Sequence, residues 1–227
     1  MAHVFEFDTR DAASEAVAAR IAELLSARIN RNDKATFVVS GGTTPAKCFD
    51  YLSNYPLDWE NVQVVLSDER WVPCDHEDSN ERLVRETLLK AEAGSASVLS
   101  IYQDDLSVDE RCDSLQPQLP ESGFACSMVG MGVDGHFASL FPDSDSLEAG
   151  LNTDNKRFYI PVRTTASPHP RISMTLGALL QSTEILLLIF GANKFGVYEK
   201  AKAGDSTYPI AALLQQQTVP VNVYWAP

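Results

Sequence analysis

The stretch TFVVSGGTTP, residues 36–45, decides the fold. Its first half is a short β-branched and aromatic run of the kind found in buried strands, and the two glycines after it allow a sharp turn. Pro45 stands where a new helix can begin, because the fixed φ of proline suits the first helical turn. The stretch therefore predicts a strand, a glycine turn and a helix in direct succession.

The same alternation recurs on both sides of this stretch. Residues 11–30 carry apolar side chains at helical spacing, with Asp11 placed to cap the start of the helix. Apolar runs follow at NVQVVLS (61–67), FACSMVG (124–130), RFYIPV (157–162), EILLLIF (184–190) and VPVNVYW (219–225), and helical patterns at 79–90, 194–203 and 209–216. Such alternation predicts an α/β fold, a mostly parallel twisted sheet with helices on both faces in a Rossmann-like three-layer domain.

Length and charge limit the classes of function. The chain has 227 residues, 44% of them hydrophobic, so it can bury one large core, and we expect a single domain over residues 1–227. The formal net charge of −13 argues against binding to nucleic acid or to an anionic membrane surface. Because neither a signal peptide nor a membrane span is recognisable, we expect a cytoplasmic protein. No pattern predicts an oligomeric state.

The cysteines give no sign of a disulfide framework or of a metal centre. They are widely spaced, with no CxxC pair and no histidine at metal-ligand spacing nearby. We therefore expect idle thiols and no metal site. The cysteines are Cys48, Cys74, Cys112 and Cys126.

Ligands of open α/β sheets bind outside the carboxyl ends of the strands, so the loops that follow strands are the candidate binding segments. In SGGTTP (40–45), Gly41 and Gly42 let the backbone approach a ligand, and the N–H groups of the following helix suit a phosphate. An ordinary tight turn accounts for this loop equally well. In SDERWVP (67–73), Arg70 can bind a phosphate with two hydrogen bonds, oriented by a neighbouring carboxylate, while surface ion pairing is the alternative.

The most informative loop is GMGVDGHFASLFP, residues 130–142. Its glycines fit GxGxxG formally, but Pro142 and the acidic loop after it leave little room for the helix that a dinucleotide site needs. Asp134 and His136 account for the loop better, because a carboxylate can fix the tautomer of an imidazole whose other nitrogen then takes a proton from water. A solvated loop histidine is the alternative.

Two further segments place cations beside the predicted crevice. In GANK (191–194), Lys194 falls in the first turn of a helix that follows a strand, although most lysines simply lie at the surface. In PHPRISMT (168–175), Arg171 is a candidate second phosphate ligand, with ion pairing to the acidic surface as the alternative. Because the whole protein is acidic, an anionic substrate would need positive charge concentrated at its site.

Taken together, SGGTTP, SDERWVP with DHEDSN (75–80), GMGVDGHFASLFP, PRISMT and GANK, in this order and at these separations, resemble the 6-phosphogluconolactonases of the glucosamine-6-phosphate isomerase/6-phosphogluconolactonase family. Glucosamine-6-phosphate deaminases share the fold, with a similar glycine loop and a DGH loop. They typically continue IAFNEP after DGH, where this chain reads FASLFP, and have a DEY-type segment in place of DERWVP. Both differences favour the lactonases.

The resemblance implies hydrolysis of 6-phospho-D-glucono-1,5-lactone to 6-phosphogluconate, the second step of the oxidative pentose phosphate pathway. It implies a small-molecule sugar-phosphate lactone as the partner and no metal or organic cofactor. A deaminase on the same fold, a non-catalytic sugar-phosphate sensor and, more distantly, a dinucleotide-dependent dehydrogenase are the alternatives. The implied roles are general base for His136, its partner for Asp134, cationic phosphate ligands for Arg70, Arg171 and Lys194, and a backbone cradle for Gly41, Gly42 and Thr43.

Overall fold

The computed structural model describes residues 2–31 and 34–227. The strands are β1 (His3–Glu6), β2 (Ala35–Val39), β3 (Val62–Leu66), β4 (Asp68–Arg70), β5 (Ser97–Leu99), β6 (Cys126–Val129), β7 (Tyr159–Val162), β8 (Arg171–Met174), β9 (Ile185–Phe190) and β10 (Val221–Ala226). The helices are α1 (Arg10–Ile29), α2 (Ala46–Leu52), α3 (Asn80–Thr87), α4 (Val108–Leu115), α5 (Leu147–Leu151), α6 (Leu176–Leu179), α7 (Ala192–Lys202) and α8 (Ile210–Gln215).

Seven strands form a parallel sheet in the order β1-β10-β9-β6-β2-β3-β5. Every residue of β2 and β6 is buried, and so are all residues of β9 except the last. Strands that are apolar throughout must be covered on both faces, and the helices that pack around the sheet cover them. The predicted three-layer α/β fold, with a mostly parallel sheet, is confirmed.

The strand order reverses its direction at β2 and β6, which lie side by side at the centre. From β2 the chain proceeds to β3 and β5 on one side, whereas from β6 it proceeds to β9 and β10 on the other. The loops that leave β2 and β6 therefore diverge and open a crevice at the carboxyl edge of the sheet. Such a topological switch point is where open α/β sheets bind their ligands.

A second, antiparallel sheet with the order β4-β8-β7 lies beside this edge. Residues 68–70, predicted as part of a loop, are β4, and the run 157–162, predicted among the strands of the main sheet, contributes β7 instead. Both segments form strands by pairing with β8. These contacts join segments that are far apart in the sequence, so no local pattern predicts them. The register places Arg70 directly opposite Arg171.

The five predicted helices are present as α1, α2, α3, α7 and α8, with ends that differ by a few residues, whereas α4, α5 and α6 were not predicted. The predicted cap of α1 is wrong. The predicted cap was Asp11, whereas the side chain of Thr9 accepts the N–H of Ala12 at 3.1 Å. Asp11 lies in the first turn, where a negative charge suits the positive end of the helix dipole. None of the described helices is long and apolar enough to cross a membrane.

Candidate active site

A cavity of about 390 Å³ lies at the switch point between the loops that follow β2 and β6. All the predicted site residues except Asp134 line it, so the fold brings together groups from segments spread over most of the chain. These lining residues are Gly41, Gly42, Thr43, Arg70, His136, Arg171 and Lys194.

Asp134 lies behind His136 and holds its ring. The Nδ1 atom of His136 is 2.6 Å from Oδ1 of Asp134, and the His136 backbone N–H donates to the same oxygen at 3.2 Å. The imidazole also packs on Phe141, with ring centroids 4.2 Å apart. With Nδ1 occupied by the carboxylate, Nε2 is the ring nitrogen that remains to take a proton.

Gly132 leaves room for this pair. A Cβ at position 132 would lie 2.2 Å from Nδ1 of His136 and 2.4 Å from Oδ1 of Asp134, distances that nonbonded atoms do not tolerate. The residues from 130 to 142 form no helix, and the Gly132 N–H donates to the carbonyl of His136 at 2.9 Å. The glycines therefore shape a tight loop around the carboxylate–imidazole pair, and the loop lacks the helix that a dinucleotide fingerprint requires.

Arg171, the first residue of β8, extends its side chain between polar and aromatic groups. Its Nη1 lies 3.6 Å from Oδ2 of Asp68 and donates to Oγ of Ser139 at 3.3 Å, while its guanidinium lies 5.2 Å from the centre of the Phe141 ring. Burial lowers the pKa of Arg171, and the Asp68 carboxylate opposes that shift. The side chain is thus a largely buried cation with one carboxylate near it.

Arg70 is oriented differently from the sequence prediction. Its Nη1 donates to the backbone carbonyl of Asp78 at 2.8 Å and to Oδ1 of Asn80 at 2.9 Å, so no neighbouring carboxylate orients it. The Glu69 carboxylate instead accepts the N–H groups of Asn80 and Glu81, each at 2.8 Å. The reason is that the first N–H groups of α3 need acceptors, and the carboxylate of Glu69 in the middle of β4 accepts them.

Three polar atoms that belong to cavity-lining residues are buried without a hydrogen-bond partner in the part of the chain that the structure describes. They are Nε of Arg70, Nε of Arg171 and Oγ of Ser40. These atoms are closed off from solvent, and their lack of a partner is unusual because buried polar groups are nearly always hydrogen-bonded. Two of the three belong to guanidinium groups, which favours an anion.

Lys194 completes the cationic side of the cavity. It lies in the first turn of α7, which begins after Gly191, a residue with a φ of +85° that places it in the left-handed region. Burial lowers the pKa of Lys194. No residue in the described ranges gives it a hydrogen bond or an ion pair, so its ammonium group is available to a ligand.

The glycine loop after β2 has a structural role besides its place at the cavity. A Cβ on Gly41 would lie 1.9 Å from Oδ1 of Asn80, the atom that accepts a hydrogen bond from Arg70. The second glycine, Gly42, has a φ of +85°, a conformation that few other residues adopt. The loop therefore permits the close approach of Asn80, and through Asn80 it helps to position Arg70.

The sequence predictions did not include Ser40, Asn80 or Ser139, and they gave Asp68 a place only among the carboxylates that could orient Arg70 or form surface ion pairs. Asp68 lines the cavity, and its buried carboxylate accepts Oγ of Ser139 at 2.6 Å. Only Ser40 had a usable signal, because it stands between the run that forms β2 and the glycine pair. The other contacts join segments distant in the sequence.

The expectation of no metal site rested on sequence spacing, which could not reveal one group of side chains. His76, Asp78 and His169 meet at one point, with ligand atoms that all lie within 4.8 Å of one another. Spacing along the chain hides this group because Asp78 and His169 are 91 residues apart. None of the three lines the cavity.

The chain resembles known proteins along nearly its whole length. The family model described as glucosamine-6-phosphate isomerases/6-phosphogluconolactonase matches residues 8–225. A 6-phosphogluconolactonase of Caulobacter vibrioides is 36% identical over 223 residues, which cover 97% of the chain and 95% of that relative. One of Pseudomonas putida is 38% identical over 212 residues, covering 91% and 86%.

Solved structures agree. The crystal structure of a 6-phosphogluconolactonase from Shewanella baltica superposes with a TM-score of 0.94 at 36% sequence identity and covers 100% of this chain and 98% of that one. The family model, the similar relatives and the superposed structure all indicate the same family. The chain belongs to the glucosamine-6-phosphate isomerase/6-phosphogluconolactonase family.

Proposed function

We propose that this protein is a 6-phosphogluconolactonase that hydrolyses 6-phospho-D-glucono-1,5-lactone to 6-phosphogluconate with a water molecule activated by His136. The lactonase assignment rests on relatives of that name that align with the chain over nearly its full length. The observation that supports the mechanism is the contact of 2.6 Å between Asp134 and His136 in a cavity that also contains Arg70, Arg171 and Lys194.

The chemistry needs only one base. Nε2 of His136 takes a proton from water while the water oxygen bonds to the lactone carbonyl carbon and forms a tetrahedral intermediate. When the bond between that carbon and the ring oxygen breaks, the imidazolium returns its proton to the departing ring oxygen, which becomes a hydroxyl group. A lactone is already an activated ester, so positioning together with one base is sufficient and no covalent nucleophile is required.

The cations supply binding and selectivity. The phosphate is remote from the reacting carbonyl, and binding of the phosphate can place that carbonyl next to the activated water. The guanidinium groups of Arg70 and Arg171 and the ammonium group of Lys194 belong to residues that line the cavity and provide donors for the phosphate oxygens. A backbone N–H or Lys194 can stabilise the developing oxyanion.

The direct test generates the phospholactone in situ and follows its loss with and without protein. The lactone also hydrolyses spontaneously, so each rate is corrected with a reaction that lacks enzyme. Incubation with glucosamine 6-phosphate and an assay for ammonia tests the deaminase activity known on this fold. Loss of the lactone at only the spontaneous rate, or ammonia release comparable with lactone hydrolysis, would contradict the proposal.

Chelation should leave the hydrolysis intact. No step of the proposed mechanism uses a metal. Among the described residues that line the cavity, His136 is the only histidine, and it pairs with one carboxylate, which is fewer ligands than a metal site needs. We expect the same kcat and KM before and after exhaustive dialysis against EDTA. If activity disappears and one divalent ion restores it, the mechanism without a metal is wrong.

Phosphate affinity should weaken at alkaline pH because of Lys194. Burial lowers the pKa of this side chain, so its ammonium group loses its proton at a lower pH than an exposed lysine does. Affinity is therefore complete below that lowered pKa and falls as the pH rises through it. Calorimetric titration with 6-phosphogluconate, from about pH 7 to about pH 11, avoids spontaneous lactone hydrolysis and extends past the usual lysine pKa of about 10.4.

Lys194→Arg provides the matched control for this effect. Arginine keeps its charge over the whole range, so its affinity for 6-phosphogluconate should show a flatter dependence on pH, whatever its absolute value. An identical alkaline decline in wild type and Lys194→Arg would mean that another group is responsible.

A further inference from the structure

Two loops beside the cavity bring two imidazoles and one carboxylate together. Nε2 of His169 lies 3.2 Å from Oδ2 of Asp78, and Nδ1 of His76 lies 3.9 Å from the same oxygen. The rings of His76 and His169 meet edge to face with centroids 5.4 Å apart. All three side chains are only partly exposed, between 28% and 48%.

These separations are close to those of a tetrahedral metal site. Zn²⁺ bonds of about 2.0–2.1 Å to imidazole and carboxylate place neighbouring ligand atoms about 3.3 Å apart. The pair formed by His169 and Asp78 already has this separation, and the pair formed by His76 and Asp78 needs to close by about 0.6 Å. The two ring nitrogens lie within 4.8 Å of each other and need to approach as well. Side chains that are partly exposed can make such a movement without disturbing the core.

The backbone holds both loops in place. The His76 N–H donates to the carbonyl of Pro73 at 3.0 Å, and the Ser79 N–H donates to the carbonyl of His76 at 3.1 Å. On the other side, the Trp71 N–H donates to the carbonyl of Pro170 at 2.8 Å and ties the second loop to the first. The three side chains are therefore brought together by a framework that does not require the metal.

The tautomer of His76 also suits coordination. Its Nδ1 accepts the backbone N–H of Asp78 at 3.0 Å, so this nitrogen carries no proton, and its lone pair is directed at that N–H. Coordination through Nδ1 exchanges one neutral hydrogen bond for a metal–nitrogen bond. Nε2 of His76 keeps the proton and can donate to water.

We propose that His76, Asp78 and His169 form a binding site for a first-row transition-metal ion of the Zn²⁺ type. Two imidazoles and one carboxylate select such ions over Mg²⁺ and Ca²⁺, which prefer oxygen ligands. Three protein ligands leave one position for water or another small ligand. The site lies outside the residues that line the cavity, and it does not depend on the proposed lactonase reaction.

Occupation of the site connects the loop that supports Arg70 with the loop that leads into Arg171. The carbonyl of Asp78 accepts a hydrogen bond from Arg70, and His169 stands two residues before Arg171. A ligand that binds only the folded chain raises its stability, so Zn²⁺ should raise the Tm of the wild-type protein. The variants that lose a ligand should not show this increase.

The test measures Zn²⁺ binding to metal-free protein by calorimetry. Wild type should bind one Zn²⁺ at this site, and His169→Ala, Asp78→Asn and His76→Gln should each weaken binding by roughly 10- to 100-fold or more, because even groups outside the coordination shell are worth that much. His136→Ala and Cys74→Ser control for the catalytic imidazole and for the exposed thiol nearby. Both controls should bind Zn²⁺ as the wild type does.

A second measurement does not depend on the folding of any variant. On addition of Zn²⁺, the ring nitrogen signals of His76 and His169 in the NMR spectrum of the wild-type protein should shift together, while that of His3 on β1 should not. Wild-type Zn²⁺ affinity in His169→Ala would overturn the proposal. Loss of Zn²⁺ binding in Cys74→Ser or His136→Ala, with binding unchanged in the three ligand variants, would also overturn it. The same holds if the ring nitrogen signals of His76 and His169 do not shift when Zn²⁺ is added.

Discussion

Replacement of His136 by alanine should lower kcat by about 10²–10⁴-fold, the usual worth of general-base assistance, with little change in KM. The loss should fall on kcat because the imidazole acts on the attacking water, whereas phosphate binding depends on Arg70, Arg171 and Lys194. The distance of 2.6 Å between His136 Nδ1 and Asp134 Oδ1 supports this division, since it leaves Nε2 for the water.

Two neighbouring substitutions refine this prediction. Asp134→Asn keeps the size of the side chain but removes the charge that fixes the tautomer, so kcat should fall by less than in His136→Ala. Gly132→Ala would place a Cβ 2.2 Å from Nδ1 of His136 and should also lower kcat by displacing the ring. Both variants should retain most of the wild-type affinity for 6-phosphogluconate.

The decisive measurement is the pH dependence of kcat, corrected for spontaneous hydrolysis. The wild-type rate should fall on acidification, because only a neutral imidazole accepts a proton, and the residual activity of His136→Ala should lack this fall. His3→Ala on β1 is a control for the loss of a histidine elsewhere. Wild-type kcat in His136→Ala, with an unchanged acid limb, would show that another group is the base.

The central sheet could be predicted from the sequence because its strands are buried on both faces. The runs that became β2, β6 and β9 are apolar almost without interruption, and a pattern of this length and composition is typical of strands in a parallel sheet. The strands at the two edges of the sheet, β1 and β5, gave no such signal, since every residue in them is at least partly exposed. Burial is therefore what made a strand visible in the sequence.

The sequence allowed us to predict which residues form the site, but not the contacts that join residues from distant segments. The carboxylate and imidazole of Asp134 and His136 lie two residues apart, so their pairing could be expected from one loop. The support of Arg70 by Asn80 depends on how α3 packs against the loop after β2, and no local pattern encodes that packing. The group of His76, Asp78 and His169 was missed for the same reason.

Arg171→Ala should raise KM for the phosphorylated lactone by roughly 10- to 150-fold, which corresponds to about 1.5–3 kcal/mol for hydrogen bonds to a charged group. The guanidinium is largely buried, lies at the cavity and has one carboxylate near it, so its charge favours an anion there. Because the phosphate is remote from the carbonyl, kcat should change much less than KM. Arg171→Lys keeps the charge but not the planar pair of donors, and its KM should lie between those of wild type and Arg171→Ala.

The substrate without a phosphate group separates this effect from a general disturbance of the site. Arg171 lies 3.6 Å from the buried carboxylate of Asp68, so its removal also leaves that carboxylate less compensated and should lower Tm. D-Glucono-1,5-lactone has no phosphate for Arg171 to bind, so its kcat/KM, already low in the wild type, should be nearly the same in Arg171→Ala. An equal fall in kcat/KM for both lactones would mean that the substitution disturbs the cavity as a whole. An unchanged KM for the phosphorylated lactone would show that the phosphate is bound elsewhere.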